Sequence, residues 1–249
     1  MIRLLVLFLL LAAPVKAEEI VLGLSRDEVA ITATFQGSEI LIFGAIKRDA
    51  PIRTDSDLGV IVTVAGPDLP VTVRKKDRRL GIWVNTESVD VDVAPSFYAV
   101  ATNRPLEEIL TFTEDLNTRI STQRAIRSVG ATIDNAQSFT EALIRIRSDQ
   151  GLYLKLPTGV LVQEESLFRT LIPMPANLTE GDYKAEIYLT RGGQIVDLYS
   201  TTIPVKKVGL ERWLYNLAHE NAFLYGLMSL SIAIAAGWSA SAVFTLLRR

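Results

Sequence analysis

A chain of 249 residues, 49% hydrophobic and 22% charged with a formal net charge of −2, has length for one large or two ordinary folded domains and is not composed like a disordered one. The mild acidity excludes a general nucleic-acid binder, which needs a broad basic face, so nucleic acid is not an expected partner. Cysteine is absent, which excludes disulfides, thiolate metal sites and a cysteine nucleophile together and fits a bacterial periplasmic domain better than a secreted eukaryotic one.

The first 17 residues, "MIRLLVLFLLLAAPVKA", combine a basic start at Arg3, an apolar run from Leu4 to Ala13 and a Val15-Lys16-Ala17 cleavage-type tripeptide. Ten helical residues rise only about 15 Å, half a hydrocarbon core, so the segment reads as a secretory signal peptide cut after Ala17 rather than as an anchor. Its removal takes away Arg3 and Lys16 and leaves the mature chain at −4.

Residues 18–103 alternate apolar and polar side chains in short segments such as "EVAITATF", "SEILIFGAI", "GVIVTVAG" and "SFYAVAT". Turn residues separate them at Gly37, Pro51, Gly66-Pro67, Asp77 and Pro95. This punctuated period of two predicts a first β-sandwich module, immunoglobulin-like in the loose sense, with Trp83 as a core plug. Within it, "RKKDRR" places Arg74, Lys75, Lys76, Arg78 and Arg79 around Asp77, which is expected to make the turn of a hairpin. Two readings stay open for these cations. They form a solvated tip that discourages edge pairing, or a contact surface for anionic lipid or a partner's acidic loop.

Residues 104–149 change period. Pro105 is placed for a first helical turn with Glu107 and Glu108 behind it, and Ser138 with Glu141 matches a capping box ahead of Phe139, Leu143 and Ile146 on one face. Two or three helices are expected there. Strands return over 150–208, with Arg191-Gly192-Gly193 as a hairpin turn. Four strands make a thin sandwich, so this second module is expected to borrow cover from the helices or from the first.

Residues 209–220, "GLERWLYNLAHE", predict a juxtamembrane interfacial helix continuous with the apolar segment after it. Residues 221–247 carry no charge and as a helix span about 40 Å, enough to cross a bilayer with tilt. Arg248 and Arg249 form a cytoplasmic tail, while Trp213, Tyr215 and Tyr225 anchor the opposite headgroup level. Ser229, Ala233, Gly237 and Ser241 recur every four residues and mark a stripe on which a partner helix or a second copy packs closely.

No motif for chemistry emerges. His219 is the only histidine and lies in the juxtamembrane segment, so a histidine-based triad is excluded; no phosphate-binding glycine loop is present. Asp90 and Asp92 alternate onto one strand face near Glu87, the nearest approach to an oxygen-only metal site, but solvated strands carry such acids routinely. Catalytic, metal and cofactor residues are therefore expected to be absent.

The set "FGAI", "VTVAGP", "GIWVN", "PSFYAVAT", "EGDYKAEIYLTRGG" and "VGLERWLY" ahead of a terminal span resembles the putative transmembrane protein family of alphaproteobacteria over nearly the whole mature chain. The resemblance implies an inner-membrane protein whose gene lies beside permeases of the sulfite-exporter type, and it supplies no site residues. The combined expectation is a mainly β protein of two immunoglobulin-like sandwich modules bridged by helices, with one C-terminal transmembrane helix. It is held single-pass in the inner membrane with its bulk in the periplasm and its C-terminus in the cytoplasm. Its function is expected to be a non-catalytic binding or accessory role, in a transport system or as a homo-oligomer. The alternative is a periplasmic carboxylate-dependent enzyme acting on envelope glycans.

Overall fold

The computed structural model of the protein describes residues 18–25, 28–31, 37–48, 57–127, 136–207 and 210–247. Its strands are β1 (Glu18–Leu24), β2 (Val29–Ile31), β3 (Ser38–Arg48), β4 (Leu58–Ala65), β5 (Asp68–Arg79), β6 (Ile82–Pro95), β7 (Tyr98–Thr102), β8 (Tyr153–Leu156), β9 (Val160–Gln163), β10 (Leu167–Met174), β11 (Gly181–Arg191) and β12 (Gln194–Lys207). Its helices are α1 (Leu106–Ile109), α2 (Phe112–Thr118), α3 (Thr122–Ala125), α4 (Ala136–Asp149), α5 (Leu210–Glu220) and α6 (Ala222–Leu247). The chain divides into two units: one, Met1–Val29 with Gln36–Val205, holds most of the strands and the helical segment, and the other, Ala30–Phe35 with Lys206–Arg249, holds the C-terminal helices. The expected signal peptide at Met1–Ala17 and the tail at Arg248 and Arg249 lie outside the described residues.

The first unit is mainly β, in two sandwich-like sheets and a ribbon. The smaller sheet runs β1-β3-β10-β9, all antiparallel; the larger runs β2-β12-β11-β4-β7-β8, with β7 and β8 parallel. The expected division into successive modules at Asn103 does not describe these sheets. In the smaller one β3 pairs with β10 (Gly44 opposite Phe168), and in the larger one β4 pairs with β11 (Val62 opposite Ile187). Each sheet combines strands from both halves of the chain.

Period-2 patterning decides which side chains face inward. On the smaller sheet Ile40, Ile42 and Ile46 of β3 and Phe168, Ile172 and Met174 of β10 are buried on one face. On the larger sheet Val60, Val62 and Val64 stand beside Ala185, Ile187 and Leu189, and Ala99 and Ala101 complete the rows. Asp197 of β12 bridges toward the smaller sheet, accepting from the Ile20 amide at 3.0 Å. At one end, buried Arg191 donates to Glu165 Oε2 at 3.2 Å, and Arg48 donates to the Glu165 carbonyl, so three charged side chains close the space between the strands.

β4 is buried on both faces, since its second face is covered by the helical segment. A side chain at Gly59 would meet Ile109 of α1. The Tyr98 hydroxyl donates to the Ile120 carbonyl at 2.8 Å, and Tyr153 donates to the Pro95 carbonyl at 2.8 Å. Burial pushes the Tyr98 and Tyr188 phenols far above their ordinary range, Tyr183 upward as well, and Tyr153 up to about 12. The helical segment holds four helices among the described residues, and three of them are too short to show a helical period. α4 begins at Ala136, so Ser138 lies inside it rather than capping it; Phe139 and Leu143 are buried as expected, but Ile146 is exposed. The turn at Gly192-Gly193 is where the sequence placed it, with both glycines at positive φ.

Candidate functional site

Four features of the molecule face outward with chemistry attached to them. The first is α6. Its 26 residues carry no charge, are apolar all round and, apart from half-buried Met228, are exposed wherever their burial is described, and Ala222–Phe244 is the one candidate membrane span among the described residues. Ser229, Ala233, Gly237 and Ser241 all lie on this helix and are exposed, and a Cβ added at Gly237 would meet nothing within 4 Å. Ser231 donates back to the Leu227 carbonyl at 2.8 Å, which satisfies a hydroxyl in an apolar segment.

α5 precedes it and is interrupted at Asn221 rather than running straight on. The hydrogen-bond ladder nevertheless crosses the break, from the Asn221 amide to the Leu217 carbonyl and from the Tyr225 amide to the Asn221 carbonyl, each at 3.1 Å. Trp213 and Tyr215 are exposed on α5, and His219 stacks on Tyr215 with ring centroids 4.0 Å apart. His219 Nδ1 is bonded to the Tyr215 carbonyl, so the single histidine serves its own helix.

The second feature is the ribbon of β5 and β6. Its inner half is held by buried Val73, Val89 and Val91 and by a backbone bridge from Val93 to Arg127. From Arg74 to Ser88 the side chains are exposed apart from half-buried Val84, so this half projects from the unit. The turn is not at Asp77, as expected, but at Leu80-Gly81, with Arg79 opposite Ile82. Leu80 has φ 50° and Gly81 φ 88°, the signature of a two-residue type I′ turn, whose second position glycine fills without strain.

The five cations therefore line the last stretch of a strand instead of clustering at its end. Lys75 pairs with Glu87 at 3.6 Å and Arg79 with Asp77 at 3.7 Å. Trp83 is not a core plug: it is 69% exposed, opposite Arg78 near the apex. Asp90 accepts from Thr72 at 2.7 Å on this same ribbon, and Asp92 is exposed. No group of three or more metal-ligating side chains occurs among the described residues.

The third feature was not anticipated: the outer face of the smaller sheet. Its register stacks Val21, Ala45, Leu167 and Gln163 in one row and Gly23, Phe43, Arg169 and Leu161 in the next, with Leu41 beside Leu171 beyond. A Cβ at position 23 would come within 2.6 Å of the Phe43 ring, so glycine is what lets that ring lie across β1. Val21, Phe43, Leu161, Leu167 and Leu171 are each between 44% and 54% exposed, and the first four line a shallow hollow of about 540 Å³. The signal was present in "IVLGL", "ILIFGAI" and "SLFRTLIPM", where apolar residues occupy both parities of a strand.

The fourth is a hollow of about 660 Å³ between α1, α2, α3 and the edge of the larger sheet, lined by Leu106, Leu110, Phe112, Lys155 and Leu156 among others. Within it Arg124 donates to Asp115 at 2.7 Å and lies 4.5 Å over the Phe112 ring, and Asp115 also accepts from the Ser121 amide. Thr122 Oγ1 is buried beside it without a partner among the described residues.

A family described as "putative transmembrane protein", alphaproteobacterial by its designation, matches residues 19–245. No curated protein matches the chain.

Proposed function

Because the chain belongs to the alphaproteobacterial putative transmembrane protein family, we propose that it is a single-pass inner-membrane protein whose folded unit lies in the periplasm and binds another membrane protein without catalysing a reaction. One observation carries the binding role: the smaller sheet presents Val21, Phe43, Leu161, Leu167 and Leu171 to solvent. An apolar face edged by Glu19 and Lys47, with Arg169 set between Phe43 and Leu161, has the composition of a protein-binding surface rather than of an ordinary solvated strand. Orientation follows from a leader at Met1–Ala17 and from Arg248-Arg249 behind the span. The stripe of Ser229, Ala233, Gly237 and Ser241 supplies a second contact inside the bilayer, and a permease of the sulfite-exporter type is the partner class that the family resemblance favours.

Photo-crosslinkers at Leu171 and, as control, at exposed Ser148 of α4 test the reading in native membranes. The Leu171 probe is expected to give one discrete protein adduct that disappears when Phe43 and Leu167 become serine. Adducts of equal yield from both positions, or none from Leu171, sink it. A cysteine at Ser148 of the otherwise cysteine-free chain should label from outside intact spheroplasts. Protection there overturns the orientation alone. If Gly237→Leu leaves the purified complex unchanged, the contact inside the bilayer is removed from the proposal.

A further inference from the structure

The apex of the β5–β6 ribbon conflicts with the rules that otherwise govern this fold. A type I′ turn favours Asn, Asp or Gly at its first central position, because only these accept a left-handed backbone readily. The residue there is Leu80, at φ 50° and fully exposed, touching no core. Ile82 and Trp83 follow, 64% and 69% exposed. Three large apolar side chains at the far end of a projecting hairpin contribute nothing to folding, and one of them strains the turn.

Their distribution narrows what they meet. Arg79 stands opposite Ile82 and Arg78 opposite Trp83, so strand alternation puts Ile82 and Trp83 on opposite faces of the ribbon with Leu80 at its end. A flat protein surface covers one face of a ribbon; a fluid apolar phase covers both faces and the end. Behind the apex come Arg79, Arg78, Lys76, Lys75 and Arg74, five cations against the two carboxylates Asp77 and Glu87. At about 3.4 Å per residue these charges begin roughly one residue behind the apex and end about 20 Å behind it, which spans a headgroup layer when the apex sits at the acyl boundary. Trp and Arg are the residues that favour that boundary, and a bilayer is already present wherever α6 is embedded.

We propose that the apex formed by Leu80, Ile82 and Trp83 inserts into the surface of an anionic lipid bilayer, with Arg74, Lys75, Lys76, Arg78 and Arg79 on the lipid phosphates. The ribbon is then a second membrane contact, independent of the apolar sheet face and of the span.

The test uses the full chain with Trp213 and Trp238 replaced by phenylalanine, so that Trp83 is the only tryptophan. It is reconstituted in nanodiscs of phosphatidylcholine alone or mixed with phosphatidylglycerol. In the anionic discs Trp83 emission is expected to shift to the blue and to be quenched by lipids brominated near the headgroup, with the quenching weakened by high salt. Leu80→Asn relieves the turn and cannot act by misfolding it, and it is expected to abolish the quenching. Arg78→Glu with Arg79→Glu should do the same. Emission typical of water in every disc overturns the proposal, as does quenching that survives both sets of changes. Shielding that appears only when other membrane proteins are added also overturns it, in favour of a protein pocket.

Discussion

The two sheets of the folded unit are built from similar strands but are covered differently. The larger has the smaller sheet over one face and α1, α2 and α3 over the other, so β4 is buried on both sides from Leu58 to Val64. Among the described residues the smaller has cover on its inner face only, and β10 alternates strictly between exposed and buried from Leu167 to Met174. In a sheet with one wet face the exposed positions are normally polar. Here Leu167 and Leu171 occupy them, beside Phe43 and Val21. Apolar residues on the larger sheet are explained by folding, whereas those on the outside of the smaller one stay uncovered among the described residues.

The contrast can be broken by placing one charge in each environment. Val62→Asp puts a carboxylate where relative exposure is 0%, and it is expected to cost more than about 4 kcal/mol and prevent accumulation of folded protein, checked by urea unfolding of the detergent-solubilised chain. Truncation sharpens the contrast within the smaller sheet. Phe168→Ala on its inner face should cost about 3–5 kcal/mol, while Phe43→Ala on its outer face should cost under about 1 kcal/mol in the same assay. Comparable losses from the two would mean that the outer face is packed after all.

A third test concerns the helix side of the larger sheet. Tyr98, buried and bonded to the Ile120 carbonyl, has a phenol raised well above its ordinary value of 10.0. The unfolded chain releases that proton near pH 10 and the folded chain holds it, so the folded state binds more protons above pH 10. Stability is therefore intact below pH 10 and falls as pH rises beyond it. Tyr98→Phe is expected to cost about 1 kcal/mol at neutral pH through the lost hydrogen bond, and to make the alkaline decline shallower. An unchanged alkaline slope would leave Tyr98 out of it. The smallest effect belongs to Leu171→Asp, within about 0.5 kcal/mol of the parent although it carries the same charge as the largest.

What was legible in the sequence is what depends on local pattern. The span is readable because 27 uncharged residues have few other uses, and the Gly192-Gly193 turn because two adjacent glycines meet a backbone requirement directly. Partner choice was not readable: alternation in "SEILIFGAI" says that β3 has two faces but not that β10, rather than a neighbour in the chain, completes it. Asp77 attracted the turn assignment because it interrupts a basic run, yet backbone geometry selected Leu80-Gly81, a few residues on. That shift moved Trp83 from an expected interior to an exposed apex. For the candidate sites, the cations and the small-residue stripe were visible as residue types, whereas the apolar sheet face became visible only once register showed which side chains share it.

The pairing of Gly44 with Phe168 also has a temporal meaning. A polypeptide synthesised from its N-terminus delivers β3 long before β10, and the two can zip only after the whole ribbon and helical segment have emerged. Contacts so distant in sequence make for slow folding, and for that interval Ile40, Ile42 and Ile46 have no lid.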